Sequence, residues 1–196
     1  NRSYEIGTKW QFFDRRLLAS AALFRTEKEN ARERVGSGSS SYWSDGGAYV
    51  VQGVEFNVAG NITDRWSVFG GAVFMDSEVT KSDNTANIGR RLGRNAHQTF
   101  NVLSKYRIFD DVTVGAGATY KSRVHGGTLA EASWYVPGGW RFDLMAEWKV
   151  RKNVTLRANV NNLFDAVLYE TPYENAAQYA HIQPGRVAYL SLNVKY

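Results

Sequence analysis

A chain of 196 residues has room for one ordinary domain, and its contents exclude several classes at once. It has no Cys, which rules out disulfide scaffolds and thiol redox chemistry, while 18 Gly and 14% aromatics against 3 Pro suit many strands joined by flexible connections better than a helical bundle. A net charge of +5, with a pI near 9.4, is compatible with nucleic acid, anionic headgroups or an acidic ligand and does not choose among them.

Taken from the start, Arg2–Phe12 alternates from its first residues, and Phe13-Asp14-Arg15 turns it into a second strand over 16–29. A pair over 48–59 and 65–80 follows, joined by Gly60-Asn61-Ile62-Thr63-Asp64. Next come 96–108 and Val112–Lys121, joined at Phe109-Asp110-Asp111. The clearest alternation is over 140–150: Trp140, Phe142, Leu144, Ala146, Trp148 and Val150 against Arg141, Asp143, Met145, Glu147 and Lys149. Across Arg151-Lys152-Asn153 it pairs with Val154–Asn161, and 188–196 repeats the two-faced pattern. The spacing predicts about nine strands of roughly 10 to 14 residues, longer than the usual 5 to 6 of soluble sheets.

No apolar run approaches the roughly 20 residues that a spanning helix requires, so any membrane crossing is made by strands. The mean hydropathy of −0.41 is compatible with this, because barrel strands alternate apolar positions with polar lumen positions. Connections alternate strictly in length: turns of about 3 to 5 residues follow the odd strands, and long segments (30–47, 81–95, 124–138, 164–183) follow the even ones. Short turns on one rim and long loops on the other describe an outer-membrane barrel. Trp10, Phe12, Trp66, Tyr106, Tyr120, Trp140, Trp148 and Tyr196 near strand ends fit two interfacial girdles. A soluble all-β domain is the alternative. An open sheet in lipid leaves edge groups unpaired at several kcal/mol each, so further strands are expected upstream of Asn1, where no signal peptide is visible.

Three stretches then carry a resemblance. Val160-Asn161-Asn162-Leu163-Phe164-Asp165 with Pro184-Gly185-Arg186 and an alternating last strand resembles the C-terminal signature of TonB-dependent receptors. Gly53-Val54-Glu55-Phe56, leading into Ala59 to Ser67, resembles their "GVE" strand and periplasmic turn. Val136-Pro137-Gly138-Gly139-Trp140-Arg141-Phe142-Asp143 is similar to a segment of the ferric-catecholate members. The chain departs from the family in ending on Tyr196 rather than Phe and in lacking a Pro before the strand near Ala96. The resemblance implies an all-β, transmembrane antiparallel barrel of about 22 strands around a plug, of which residues 1–196 are the C-terminal part. It implies residence in the bacterial outer membrane and uptake of a ferric siderophore, iron being cargo rather than a resident cofactor. It further implies coupling to a TonB–ExbB–ExbD complex through a TonB box in the absent N-terminal region, and lipid and lipopolysaccharide as surroundings.

No catalytic constellation is visible, so no enzyme is expected. His97, His125 and His181 lack metal-ligand spacing, and Gly36-Ser37-Gly38 lacks the Lys of a phosphate loop. Arg90, Arg91, Arg94 and Arg123 on long loops are candidates to hold an anionic iron chelate, since guanidinium keeps its charge and presents a planar donor fork. Tyr42, Trp43, Trp134, Tyr135 and Tyr169, with Tyr173 and Tyr179, are candidates to stack on it. The inward charges Arg141, Asp143, Glu147, Lys149 and Arg157 read as a wall network. A diffusion porin or structural barrel, or a family member taking haem, cobalamin or a glycan, is the competing function; a nucleic-acid partner is disfavoured because the basic residues are scattered.

Overall fold

The computed structural model describes residues 1–36, 38–127, 134–172 and 179–195. Its strands are β1 (Arg2–Phe12), β2 (Leu17–Val35), β3 (Tyr42–Asn61), β4 (Trp66–Lys81), β5 (Gln98–Arg107), β6 (Val112–Lys121), β7 (Val124–His125), β8 (Tyr135–Val136), β9 (Gly139–Arg151), β10 (Val154–Asn161), β11 (Tyr169–Pro172), β12 (Ala180–Ile182) and β13 (Val187–Val194). Nine of these make one sheet in the order β1-β2-β3-β4-β5-β6-β9-β10-β13, antiparallel throughout. The pairs β7–β8 and β11–β12 are small ribbons inside the long connections.

Residues directly opposite each other share a face of the sheet, so register shows whether the apolar sets join. They do. Ile6 faces Leu23 and Leu23 faces Val54; Trp66 faces Tyr106, Tyr106 faces Val114; Trp148 faces Leu156 and Leu156 faces Leu192. One continuous apolar face results, and it is uncovered: Ile6 is 73% exposed, Leu23 60% and Leu190 72%. The buried apolar residues among those described are only Ala31, Val79, Val124 and Val136. A soluble sandwich would cover such a face with a second sheet about 10 Å away, and the described residues contain none. This face is therefore built for lipid.

Its aromatics fall at two levels. Trp10, Phe12, Trp66, Tyr106 and Trp148 lie toward the short turns; Phe74, Tyr120 and Trp140 lie toward the long connections. Between Trp140 and Trp148, β9 advances about 26 Å at roughly 3.3 Å per residue, which at a barrel tilt of roughly 35–45° spans most of an apolar band about 25 Å tall. Trp140 anchors the upper level, with ring centroids 4.9 Å from Tyr120, 5.7 Å from Phe100 and 5.9 Å from Phe142.

Two departures from the sequence reading have physical causes. The second and third strands run on beyond Glu29 and before Ala48: β2 reaches Val35 and β3 starts at Tyr42, paired as Arg34 with Trp43 and Val35 with Tyr42. Register shifts after Lys28 and Ala31, with left-handed Asn30 (φ 52°), break the alternation that a period-2 reading follows. Tyr42 and Trp43, expected on a loop, are thus strand residues of a projecting ribbon. Second, the connection over 82–97 carries a one-turn 3-10 helix, Thr85–Asn87, capped by the Asn84 side chain accepting from Ala86 N–H.

The short-turn rim is tied across strand pairs. Asn61 N–H donates to the Arg16 carbonyl at 2.8 Å, and the Arg16 guanidinium pairs with Asp64. Gly60, at φ +139°, leaves room for that carbonyl, which a Cβ would strike. Gly60→Ala is expected to destabilise the fold by about 2 kcal/mol, read as a lowered urea midpoint; an unchanged midpoint would show that this close approach is not required.

The Asn162 region closes the other rim. Asn162 is 2% exposed and left-handed (φ 52°); its Nδ2 donates to the Ala166 carbonyl, its Oδ1 accepts from Ala166 N–H, both at 2.9 Å, and its own N–H donates to Asp143 Oδ1 at 2.8 Å. Asp165 Oδ1 accepts from Arg186 N–H at 2.7 Å, so the Asn-Leu-Phe-Asp and Pro-Gly-Arg stretches are two halves of one clasp between β10 and β13.

Candidate functional site

On the polar face, at the end of the sheet bearing the long connections, Thr99, Thr119, Lys121 and Arg141 line a cavity of about 200 Å3, closed from above by Tyr169 and Gln183. Strand alternation dictates the placement: Thr119 faces Arg141 and Thr99 faces Lys121 across adjacent ladders, all pointing to the polar side. Lys121 Nζ donates to the Tyr169 carbonyl at 3.0 Å and also bonds the Glu170 carbonyl. Arg141 is held by Asp143, Nε to Oδ2 at 3.1 Å, and Asp143 in turn is fixed by the Asn162 clasp. A small-molecule pocket usually measures about 300 to 1,000 Å3, so this cavity is the floor of a larger mouth rather than a complete site. It offers the Lys121 ammonium, the Asp143-paired Arg141 guanidinium and two hydroxyls to an anionic, oxygen-rich ligand.

Beside it, the connections over 82–97 and 122–138 meet. Arg94 N–H donates to the His125 carbonyl at 2.8 Å, and Gly126 N–H to the Trp134 carbonyl at 3.1 Å. The Arg123 guanidinium lies 5.6 Å from the Tyr135 ring centroid, and the His125 ring 5.8 Å from it. Burial, and then the charges of Arg123, His97 and Arg91, hold the His125 imidazole below the usual histidine range. The folded loops therefore favour neutral His125. Their stability is fully present above the ordinary histidine pKa and is lost as pH falls through that value toward the depressed one. Hydrogen exchange at Arg94 and Gly126, corrected for its intrinsic pH dependence, is expected to quicken between pH 7.5 and pH 5.5, about two units spanning the histidine range; His125→Gln should abolish the step, and a step surviving that change would refute the assignment.

The sequence candidates divide. Arg94, Arg123, Trp134 and Tyr135 come together at these meeting loops, and Tyr169 closes the neighbouring cavity. Arg91 pairs with Asp76 at 3.0 Å, and Asp76 shares the face of Phe74, which places this pair toward the outer wall. Arg90 turns back to the Ala86 carbonyl at 2.8 Å. Tyr42 (59% exposed) and Trp43 (67%) stand on the ribbon, which Glu33 fastens to Ser82 at 2.7 Å. Tyr179 is exposed, and Tyr173 lies outside the described residues. Lys121 was not singled out from sequence as a ligand contact and Arg141 was read as wall; their inward parity at the loop end of β6 and β9 was the available signal.

A family model described as TonB dependent receptor-like, beta-barrel, matches residues 1–163. The chain belongs to this family. It is 37% identical over its whole length to the probable TonB-dependent receptor BfrD of Bordetella pertussis and 38% identical to the probable TonB-dependent siderophore receptor PiuA of Acinetobacter baumannii, covering 27% of each. The catecholate siderophore receptor Fiu of Escherichia coli K12 is 38% identical over 82% of the chain and 21% of its own length. The crystal structure of PiuA matches 99% of the chain with a TM-score of 0.89 at 35% identity, covering 28% of that structure. The closed form of Fiu matches 98% with a TM-score of 0.83 at 34% identity, covering 27%. This chain thus spans about a quarter of the curated relatives it matches. In a TonB-dependent receptor barrel of the bacterial outer membrane, the apolar face meets lipid, the polar face lines the lumen, and the long connections lie outside the cell. The family is one of receptors and transporters, not enzymes.

Proposed function

We propose that this segment forms part of the wall and mouth of an outer-membrane receptor that imports a ferric siderophore, of catecholate type, by TonB-dependent coupling. The observation that carries the reading is the cationic floor of the mouth, Lys121 and Arg141 with two threonine hydroxyls, beside an Arg123–Tyr135–His125 group, in a chain similar over its full length to a siderophore receptor. A ferric tris-catecholate is an anion with aromatic faces. Guanidinium and ammonium groups satisfy its charge and oxygen atoms, and Tyr135 and Tyr169 can stack on its rings. Iron enters as cargo, bound by the chelator and not by the protein; no cluster of metal-ligating side chains is found among the described residues. Energy coupling to the TonB–ExbB–ExbD complex, and contact with lipopolysaccharide around the outer wall, complete the proposed set of partners. The test is uptake of radioactive iron by cells carrying the intact receptor as sole importer. Uptake as the catecholate complex, abolished in cells without TonB, is expected; uptake of haem or cobalamin instead would replace the substrate class.

A further inference from the structure

The roof of the mouth cavity rests on one cross-strand pair. Lys121 of β6 and Gly139 of β9 stand directly opposite each other on the lumen side, and the chain at Leu168, Tyr169 and Glu170 lies over them. Lys121 takes the Tyr169 and Glu170 carbonyls. Beside it, Leu168 Cδ2 fills the place that a side chain on Gly139 would occupy: it lies 2.6 Å from where that Cβ would stand, and no other atom of the described residues outside the neighbouring positions comes within 4 Å of the point. The φ of Gly139 is not left-handed, so the backbone does not require glycine there, whereas the seat of Leu168 does. The roof is thus set down at two adjacent points, an ammonium gripping backbone oxygens and a leucine on bare backbone. Gln183 N–H donates to the Leu168 carbonyl at 2.8 Å and ties the returning segment to the same height.

What this height leaves beneath the roof is about 200 Å3, below the roughly 300 Å3 at which pockets for whole small ligands begin. A three-armed ferric chelate is too large to enter such a space, and a single planar arm is the part of it that the volume admits. Closely packed cavities discriminate by size, a misfit of one methylene being worth about 10- to 200-fold in selectivity. We propose that Gly139 and Leu168 are specificity-determining residues of the mouth, which set the roof so low that one flat catecholate arm enters beside Lys121 and an arm with bulk on its ring is refused. The inference rests on the catecholate reading above and adds to it the two residues that measure the arm. Neither residue offers the ligand a polar group; both act through the height of the roof.

The experiment titrates the intact receptor's tryptophan fluorescence with a ferric tripodal tris-catecholate and with the same chelate carrying a tert-butyl group on each ring. The parent is compared with Gly139→Ala, Leu168→Ala and the double variant. The parent is expected to prefer the unsubstituted chelate by about tenfold or more. Gly139→Ala, whose new methyl drives Leu168 off its seat, should weaken binding of that chelate about tenfold, and adding Leu168→Ala should restore it to within about threefold of the parent. Leu168→Ala alone should shrink the preference to about threefold or less, with urea midpoints equal throughout. General damage to the mouth would not be repaired by a second truncation, so the recovery is the deciding readout. Gly139→Ala binding like the parent, a double variant no better than Gly139→Ala, or a parent indifferent to the tert-butyl groups would each overturn the proposal. A parent that binds neither chelate would instead sink the catecholate reading, and this inference with it.

Discussion

Asn162→Ala is expected to destabilise the folded receptor by about 4 kcal/mol. The side chain is buried and makes two 2.9 Å bonds to the Ala166 backbone and a 3.4 Å contact to the Pro184 carbonyl. Alanine leaves those buried backbone groups unpaired at roughly 1–3 kcal/mol each, and it must still adopt the left-handed conformation at roughly 1–2 kcal/mol. The backbone N–H that Asn162 donates to Asp143 survives in the variant, so the loss is expected at the clasp. Asn162→Gly relieves the backbone strain alone and should recover only about 1 kcal/mol of the loss. The measurement is the urea midpoint of the intact receptor refolded in lipid. If Ala and Gly variants both match the parent, the clasp is not what closes this rim.

The second large effect tests which face meets lipid. Leu144→Lys on β9 puts a charge in the middle of the apolar band, at a cost of about 2–4 kcal/mol, whereas Met145→Lys, one residue along, points into the lumen near Glu147 and should cost less than about 1 kcal/mol. Leu144 is 42% exposed with Ala116 and Val160 opposite it on the two flanking strands, so no polar partner is in reach on its face. Equal costs would mean that the two faces do not have different solvents.

Strand alternation made most of the wall legible. Along β9 and along β10 from Thr155 onward each residue's face follows from the two-residue period, with one register shift beside the Arg151-Lys152-Asn153 turn. Alternation failed where register shifted. Asn30 and the irregularities beside Ala31 hid six further residues of β2, and with them the strand position of Tyr42 and Trp43. The site was less legible than the wall because it is made by contacts between connections that periodicity does not describe. Arg90, Arg91 and Arg94 are near neighbours in sequence, yet one bonds Ala86, one Asp76 and one the His125 carbonyl. Lys121 and Arg141 were visible only as members of a polar face; that they share a cavity floor depends on the register between β6 and β9, together with the position of Tyr169.

The central claim is that the mouth recognises an anionic, aromatic iron chelate through Lys121 and Arg141. Its most direct test is a titration of the intact receptor's tryptophan fluorescence with a ferric catecholate, a ferric hydroxamate, haem and cobalamin, repeated with the Lys121→Ala, Arg141→Ala double variant. Saturable quenching by the ferric catecholate, weakened about tenfold or more in the variant while the urea midpoint holds, is the expected result, since each ten-fold loss is about 1.4 kcal/mol and a charge-assisted hydrogen bond is worth at least that. No response to the ferric catecholate, or a response that the double variant leaves unchanged, would contradict it.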